Sequence, residues 1–526
     1  MDMLQFPAFG ECEYFDNQTN ANSRVLLFPN ATPDSFEAYC ALFTDRGFEK
    51  TEAFSGEYRL YAAFSKGNTG IFLHYFVGTH ELQLVVEQNC KYFSYQDAAS
   101  PACVTPRLTQ LLLCDYGMSY VIRLSDGRQV IIDGANVYEK DVDNLFARLQ
   151  KDSPFQKPVI AAWIFTHPHS DHYFCFFPFM DKYGDRVEIQ KFFFHFPEAD
   201  DLTHYPNLSK KERVFPRYSG DDEITSSEIL QRFYKRVAQM GTAVYTPHAG
   251  QSYLLGDAKL QFYTTMDDTI HCSQNINAGS MMFTMELAGQ RIFFGGDGSF
   301  SDAKLAERYG NELKSDIMQI PHHGFGCGTE VGQIRGFRLI APKICILPVE
   351  QDLAYRTFTT YREGTNYVMT RLDIEELITG EKEQVLDLPY TPNPSGKYEL
   401  QQNYQRGRDD AGARTWVFSD LNTGNPDDFW FSFLNTTYLP AKIAAELYFE
   451  NMEKKILRVS FTGPRLGVYR LNCLLADQDP AVTEAPDFFE KMGIPENTSF
   501  SVRFLSSLPV VVSHKDHTPA YHSSVI

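Results

Sequence analysis

The chain has 526 residues, 43% hydrophobic and 14% aromatic, which is enough apolar material for ordinary globular cores and too long for one of them, so about two or three domains are expected. Its net charge of −19 is scattered rather than gathered in one tail, which weighs against nucleic acid or an anionic membrane surface as a partner. No stretch is apolar enough to span a bilayer, the opening "MDMLQFPAFGECEYFDN" has no leader pattern, and the ten cysteines form no C-x-x-C pair, so a soluble cytoplasmic protein with reduced thiols is expected.

In chain order, the first hundred residues read as a small α+β unit. "SRVLLF" is a strand, and "TPDSFEAYCALFTDRG" is a helix capped by Thr32 with Pro33 at its first position and Phe36, Tyr39, Leu42 and Phe43 on one face. Strands follow at "YRLYAAFS", "IFLHYFV" and "ELQLVVE". From about residue 107 the pattern changes to strand pairs followed by helices. "TQLLLCDYG" is followed by "SYVIRLSDGRQVIIDGA", a hairpin turning at Asp126-Gly127, and by the helix "EKDVDNLFARLQ". A second helix, "TSSEILQRFYKRVAQMG", spaces Ile229, Phe233 and Val237 four apart and stops at Gly241. Further strands at "SYLLG", "KLQFYTT", "SMMFTMEL", "QRIFFGGD", "SDIMQIPHHG" and "PKICILPV" suggest two sheets with helices outside. After about residue 392 a loop-rich stretch reads as a linker, and the remainder as a β-rich accessory domain with helical stretches near 440–452 and 485–493. The expected domains are therefore 1–106, 107–392 and 393–526.

The chemistry is concentrated in "THPHSDHY" at 166–173, which follows the apolar run "VIAAWIF". His167 and His169 are two apart and can project together from an extended loop, while Asp171 and His172 come after the turn. Imidazole and carboxylate suit zinc, manganese or iron, and the carboxyl end of a strand is where α/β folds place their sites. "RIFFGGDGS" ends another apolar run with Asp297, and "DIMQIPHHG" ends a third with His322 and His323. Both offer ligands directly after buried strands.

These motifs resemble those of the metallo-β-lactamase superfamily. His167, His169, Asp171 and His172 match its H-x-H-x-D-H, "IIDGA" with Asp133 is similar to its first motif, "GGD" with Asp297 to its bridging carboxylate and "PHHG" to its last histidine motif. The resemblance covers roughly residues 107–392. It implies an αββα sandwich, flanked here by a small N-terminal α+β domain and a β-rich C-terminal domain, with a dinuclear site at one edge. His167 and His169 would hold one ion, Asp171 and His172 the other, and Asp297 both, with His322 or His323 completing the second set. Asp133 would be structural. Within the superfamily, the Asn277 and Ser280 pair before the Gly-Asp motif looks most like competence-channel nuclease-like domains and phosphorylcholine esterases, and marks these two as substrate-side residues.

The chain departs from the family in three places. No Pro-Gly-His segment supplies a third ligand to the first ion; the site either lacks this ligand or takes it from His271 in "TTMDDTIHC" or, less readily, from His248 in "YTPHAG". The Gly-Gly often found after the Asp-His pair is replaced by "YFCFF". Gln319 stands where competence-type domains often carry lysine. His195, in "FFFHFP", either lines the pocket or is an ordinary strand-end histidine. The connection "HFPEADDLTHYPNLSKKERVFPRYSG" is long enough for a lid, with Lys210, Lys211, Arg213 and Arg217 available to an anion.

The resulting expectation is a hydrolase with two divalent ions, zinc first and manganese or iron as alternatives, using a metal-bridging hydroxide on a small phosphodiester or related anion, with Asp171 orienting the water. Ester, lactone or thioester hydrolysis is the alternative within enzymes, and a non-catalytic metal-binding sensor module the alternative outside them. A di-iron oxidoreductase ranks lower, because relatives that do oxygen chemistry usually carry Glu where this chain has His169.

Overall fold

A computed structural model describes residues 15–20, 22–90, 95–97, 100–115, 117–212, 224–324, 331–348, 374–380, 382–393, 413–435, 441–450, 456–463, 466–471, 493–514 and 521–523. The described residues up to 392 form one compact unit and those from 393 onward form another.

Two sheets face each other in the middle of the first unit. One runs Ala243–Tyr245, Lys191–Phe193, Val159–Ile164, Gln129–Ile132, Tyr120–Arg123, Arg107–Gln110, Gln384–Asp387, with Glu188–Ile189 beside Val159–Ile164. The other runs Ser252–Leu255, Ala258–Thr264, Met282–Leu287, Gln290–Phe294, Ile317–Gln319, Ile344–Ile346, Glu376–Ile378. Alternation along the strands decides which side chain faces where. Val130 and Ile132 point inward to a shared core with Phe262, Phe283 and Phe294 of the second sheet, whereas Ile131 points outward. The outward face of the first sheet is covered by helices Glu139–Asp152, Phe176–Tyr183 and Ser226–Met240, through Leu145, Phe146, Phe179, Ile229 and Phe233. On the second sheet, Phe293 packs edge-on against Phe300, and Phe300 against Phe337 of helix Val331–Ile340. This is an αββα sandwich.

The aromatic replacement "YFCFF" explains part of that outer layer. Tyr173 and Phe176 interlock with Phe165, Phe196 and Phe233, their ring centroids 5.1 to 5.9 Å apart. These rings fill the space under the ligand loop and hold it from behind.

A six-stranded antiparallel sheet, in the order Phe15–Asn20, Ser23–Phe28, Glu81–Glu87, Thr69–Phe76, Arg59–Lys66, Glu49–Ser55, precedes the sandwich in the same unit. Helix Pro33–Asp45 covers one face, its first turn closed by a reciprocal bond between Thr32 and Ser35.

The second unit is β-rich, with a 16-residue strand Ser499–His514 pairing Ala413–Asn422, Ala441–Phe449 and Trp430–Asn435. The helix expected near 440–452 is the strand Ala441–Phe449. Its Ala, Glu and Leu are good helix formers, but Ala441, Ile443, Ala445, Leu447 and Phe449 bury every second side chain and the strand pairs on both edges, so tertiary pairing overrides propensity. Most of the stretch 485–493 lies outside the described residues. Among the described residues no helix is long and apolar enough to cross a membrane.

Candidate metal centre

Four strands deliver the site residues just past their carboxyl ends. Asp133 follows Gln129–Ile132, His167 follows Val159–Ile164, Asp297 follows Gln290–Phe294, and His323 follows Ile317–Gln319. The strands of each pair are parallel neighbours, so their ends lie side by side.

Asp133 ties the ligand loop together. Its backbone is left-handed, with φ 55°, and its side chain is fully buried. Thr166 donates to it twice, from its N–H to Oδ1 and from its hydroxyl to Oδ2, both at 2.7 Å. His172 Nδ1 meets Oδ2 at 2.7 Å, so Nδ1 carries the proton and Nε2 turns its lone pair the other way.

His172 Nε2 faces a tight set of donors. It lies 3.2 Å from His323 Nε2, 3.2 Å from Asp297 Oδ1 and 3.7 Å from Asp171 Oδ2. His323 Nε2 is 3.0 Å from Asp171 Oδ2 and 3.6 Å from Asp297 Oδ1. These separations straddle the roughly 3.3 Å edge of a tetrahedron whose donors each lie about 2.0–2.1 Å from its centre. A second set, His167, His169 and Asp297, has donor atoms within 4.8 Å of one another, and His167 Nε2 lies 3.7 Å from Asp297 Oδ2. His167 Nε2 is buried and makes no hydrogen bond, while its Nδ1 is held by the Thr166 hydroxyl at 3.1 Å. A buried imidazole nitrogen left open in this way fits a cation. The donor chemistry, imidazole and carboxylate without thiolate, suits a divalent transition metal.

The electrostatics agree. Burial pushes the imidazoles of His167 and His169 below their ordinary range, which keeps their lone pairs available. Burial also opposes charge on Asp171 and Asp297, yet His172 and His323 beside them hold both carboxylates below the usual range. Against the same burial, Asp297 and Asp171 lift His172 well above its ordinary value and His323 to about 9. The cluster therefore demands positive charge, which a metal ion satisfies in place of protons.

Of the two adjacent histidines, His323 enters the donor set. His322 stands outside it, with Nε2 at 3.9 Å from Asp297 Oδ2 and bonded to the Asn277 amide at 3.1 Å. Both have left-handed backbones, φ 52° and 50°, a strained pair at the end of the strand. Ser280 receives the Asp297 N–H at 3.2 Å. Gln319 accepts the Gly295 N–H at 2.8 Å and donates to the carbonyls of Gly296 and Ile320, so it fastens the "GGD" turn to the "PHHG" turn. Gly296 is required here, since at φ 52° a side chain would meet Thr166 and Ser280 at 3.0 and 3.1 Å.

His271 is in none of the metal-capable groups. Its ring stacks on Phe15 at 6.3 Å, and burial lowers it to about 4. His195 and His248 are both buried and meet at Asp267 in a group of their own. In the long connection, Tyr205 and Leu208 pack into the outer core, Lys210 and Lys211 are exposed, and Arg213 and Arg217 lie outside the described residues.

Sequence reasoning passed over Thr166 and Asp267, and marked Gln319 only as a departure from the family pattern, not as the residue that joins two ligand turns. Thr166 and Gln319 bond carboxylate or backbone groups, which no motif announces. Asp267 stands in the same "TTMDDTIHC" stretch as His271, and its place just beyond the strand Ala258–Thr264 was the available signal.

No family model and no curated protein matches the chain. Among solved structures it is similar to the metallo-beta-lactamase fold protein YhfI from Bacillus subtilis, at 12% identity and TM-score 0.32, over 53% of this chain and 99% of that one. It is also similar to CmlA, a diiron beta-hydroxylase from Streptomyces venezuelae, at 12% identity and TM-score 0.34, over 55% of each chain. A shorter likeness, to the Anabaena sensory rhodopsin transducer, has 21% identity and TM-score 0.15 over 20% of this chain and 96% of that one.

Proposed function

We propose that this chain is a metallo-β-lactamase-fold hydrolase whose two cation sites share Asp297. The observation that carries the reading is the placement of the two Asp297 oxygens, Oδ2 towards His167 and Oδ1 towards His172 and His323. His167 and His169 would hold one divalent ion, and Asp171, His172 and His323 the other. Bound ions of this kind supply Lewis acidity that lowers the pKa of water towards about 7 and offsets charge growing on a substrate oxygen.

The protein's own groups divide the remaining work. Asp171 has 15% of its side chain exposed, against 3% for Asp297, so it is the carboxylate placed to orient an incoming water. His322, 35% exposed and held by Asn277, stands at the mouth of the site and meets the substrate. Phe165, Tyr173 and Phe176 keep water from entering behind the loop.

The substrate class we assign is a small phosphodiester. It keeps a negative charge at neutral pH and would be drawn by the exposed Lys210 and Lys211, while the net charge of −19 disfavours long polyanions. A cytoplasmic location fits the free thiols of Cys40, Cys103, Cys114, Cys175, Cys272 and Cys345.

The test is hydrolysis of bis(p-nitrophenyl) phosphate and of p-nitrophenyl acetate by zinc- and manganese-loaded protein, with Asp297→Ala as the control. The phosphodiester should turn over faster, and the variant should lose both activity and metal. Preference for the acetate would replace the phosphodiesterase with an acyl hydrolase. Bound metal without turnover of either would make the chain a sensor, and full activity in Asp297→Ala would remove the shared-carboxylate reading altogether.

A further inference from the structure

The first sheet brings a further set of ligand-type side chains together. The strands Val159–Ile164, Lys191–Phe193 and Ala243–Tyr245 lie side by side and parallel, and each presents a histidine just past its carboxyl end. His167 belongs to the centre described above. His195 and His248 instead converge on Asp267, in the turn Met266–Asp268. Donor atoms of these three lie within 4.8 Å of one another, and the group shares no residue with the other two. All three are buried, at 3%, 1% and 1% exposure.

Their hydrogen bonds leave one pair of atoms in conflict. His195 Nδ1 is 2.8 Å from the Pro247 carbonyl, which can only accept, so Nδ1 carries the ring proton. Nε2 of the neutral ring then turns a lone pair towards Asp267 Oδ1, 3.5 Å away, and that oxygen is buried and makes no hydrogen bond. Two lone pairs facing each other away from water repel, and a cation between them removes the conflict. The spacing matches the roughly 3.3 Å between two donors on one tetrahedral ion. Burial lowers His195 from its ordinary value, in keeping with the neutral ring. His248 lies between two carboxylates. Its Nε2 is bonded to Glu87 and its Nδ1 to Asp267 Oδ2 at 2.6 Å, while Phe72 stacks on the ring at 4.1 Å. Against burial, Asp267 and Glu87 lift it from 6.5 to about 10, so an ion taken at Nδ1 displaces a proton and opens that contact.

We propose that His195 Nε2, His248 Nδ1 and the Asp267 carboxylate form a further divalent-cation site, with Glu87 orienting His248 from behind. The donor set is that of zinc. A divalent ion takes the place of the His248 Nδ1 proton and offsets the Asp267 and Glu87 carboxylates that otherwise hold it. Glu87 and Phe72 lie on the strands Glu81–Glu87 and Thr69–Phe76, so the ion fastens the N-terminal sheet to the sandwich. Its role is structural, since no member of the group is open to a substrate. The competing arrangement is a proton on His248 shared between Asp267 and Glu87, with no metal.

The experiment uses the full chain, loaded with zinc and freed of excess, and reads zinc per chain. Asp267→Asn should remove one equivalent from the wild-type content. The pair His167→Ala with Asp297→Ala, which disables the other centre, should keep one tight equivalent. Its cobalt-loaded form should show the visible bands of a four- or five-coordinate ion, and adding Asp267→Asn should abolish them. An unchanged zinc content in Asp267→Asn, or none in the paired variant when circular dichroism shows it folded, overturns the site and leaves the shared proton. If either variant fails to fold, His195→Gln on the wild-type chain serves instead: loss of one equivalent supports the site and no loss overturns it. The centre built on Asp297 is judged separately, because its failure would appear as wild-type zinc unchanged by Asp297→Ala.

Discussion

His172 Nδ1 lies 2.7 Å from Asp133 Oδ2, and neither side chain has any exposed surface. That single contact sets the tautomer of His172 and aims Nε2 at His323, Asp297 and Asp171. Asp133→Asn keeps the shape but replaces the accepting carboxylate with an amide. The expected outcome is zinc affinity at the second site lowered about 10–100-fold with the first site retained, read by competition against a chromophoric chelator. Equal affinity at both sites in the variant would mean that the contact does not orient the ligand.

Gln319 supports the centre from inside the sheet. Gln319→Leu leaves the buried Gly295 N–H without its acceptor, a loss of about 1–3 kcal/mol. Urea unfolding should show that loss, and metal titration should show weaker binding, because Asp297 stands two residues beyond Gly295. A stability loss without any change in metal affinity would reduce Gln319 to a packing role.

Much of this arrangement could be read from the sequence because its signals are local. The H-x-H-x-D-H loop, the strand ends carrying Asp297 and His323, and the alternation that builds two sheets all depend on neighbours a few residues apart. The Thr225–Glu228 capping box and the left-handed Gly241 close helix Ser226–Met240 by the same short-range rules. What stayed hidden depends on distant parts of the chain. His322 and His323 are adjacent, and only the Asn277 bond and the geometry at Asp297 separate them. "AKIAAELYF" carries helix propensity, and two neighbouring strands make it a strand. Asp267 reads as a turn residue until His195 and His248 are placed beside it.

His271 offers a control. It was the leading sequence candidate for a missing ligand, and in the structure its ring packs on Phe15 within the charge field of Arg308, Glu81 and Lys304. His271→Ala should leave zinc stoichiometry unchanged. Loss of an equivalent from a folded variant would return it to the ligand set.

The last prediction concerns acid stability and the N-terminal sheet. His74 on the strand Thr69–Phe76 is buried, and neither ring nitrogen has a hydrogen-bond partner. Phe76, Tyr61 and Tyr309 surround it, with ring centroids at 4.1, 5.4 and 5.9 Å. Burial first, and then the charges of Arg59 and Arg308, hold its pKa well below the ordinary 6.5. Above that value the ring is neutral whether the chain is folded or not, and it adds no pH dependence. Below it the unfolded chain takes up a proton that the folded chain refuses, so stability falls as pH drops. The slope approaches about 1.4 kcal/mol per pH unit for this one group. His74→Leu removes the titration while keeping an apolar side chain in the same space. Urea unfolding of wild type and variant, compared at about pH 8 and at about pH 5.5, should show the difference moving in the variant's favour by about 1.4 kcal/mol at the lower pH. Taking the difference cancels protons bound by the metal ligands, which both chains share. Parallel pH profiles for the two chains would show that His74 is protonated in the folded state and that the sheet accommodates its charge.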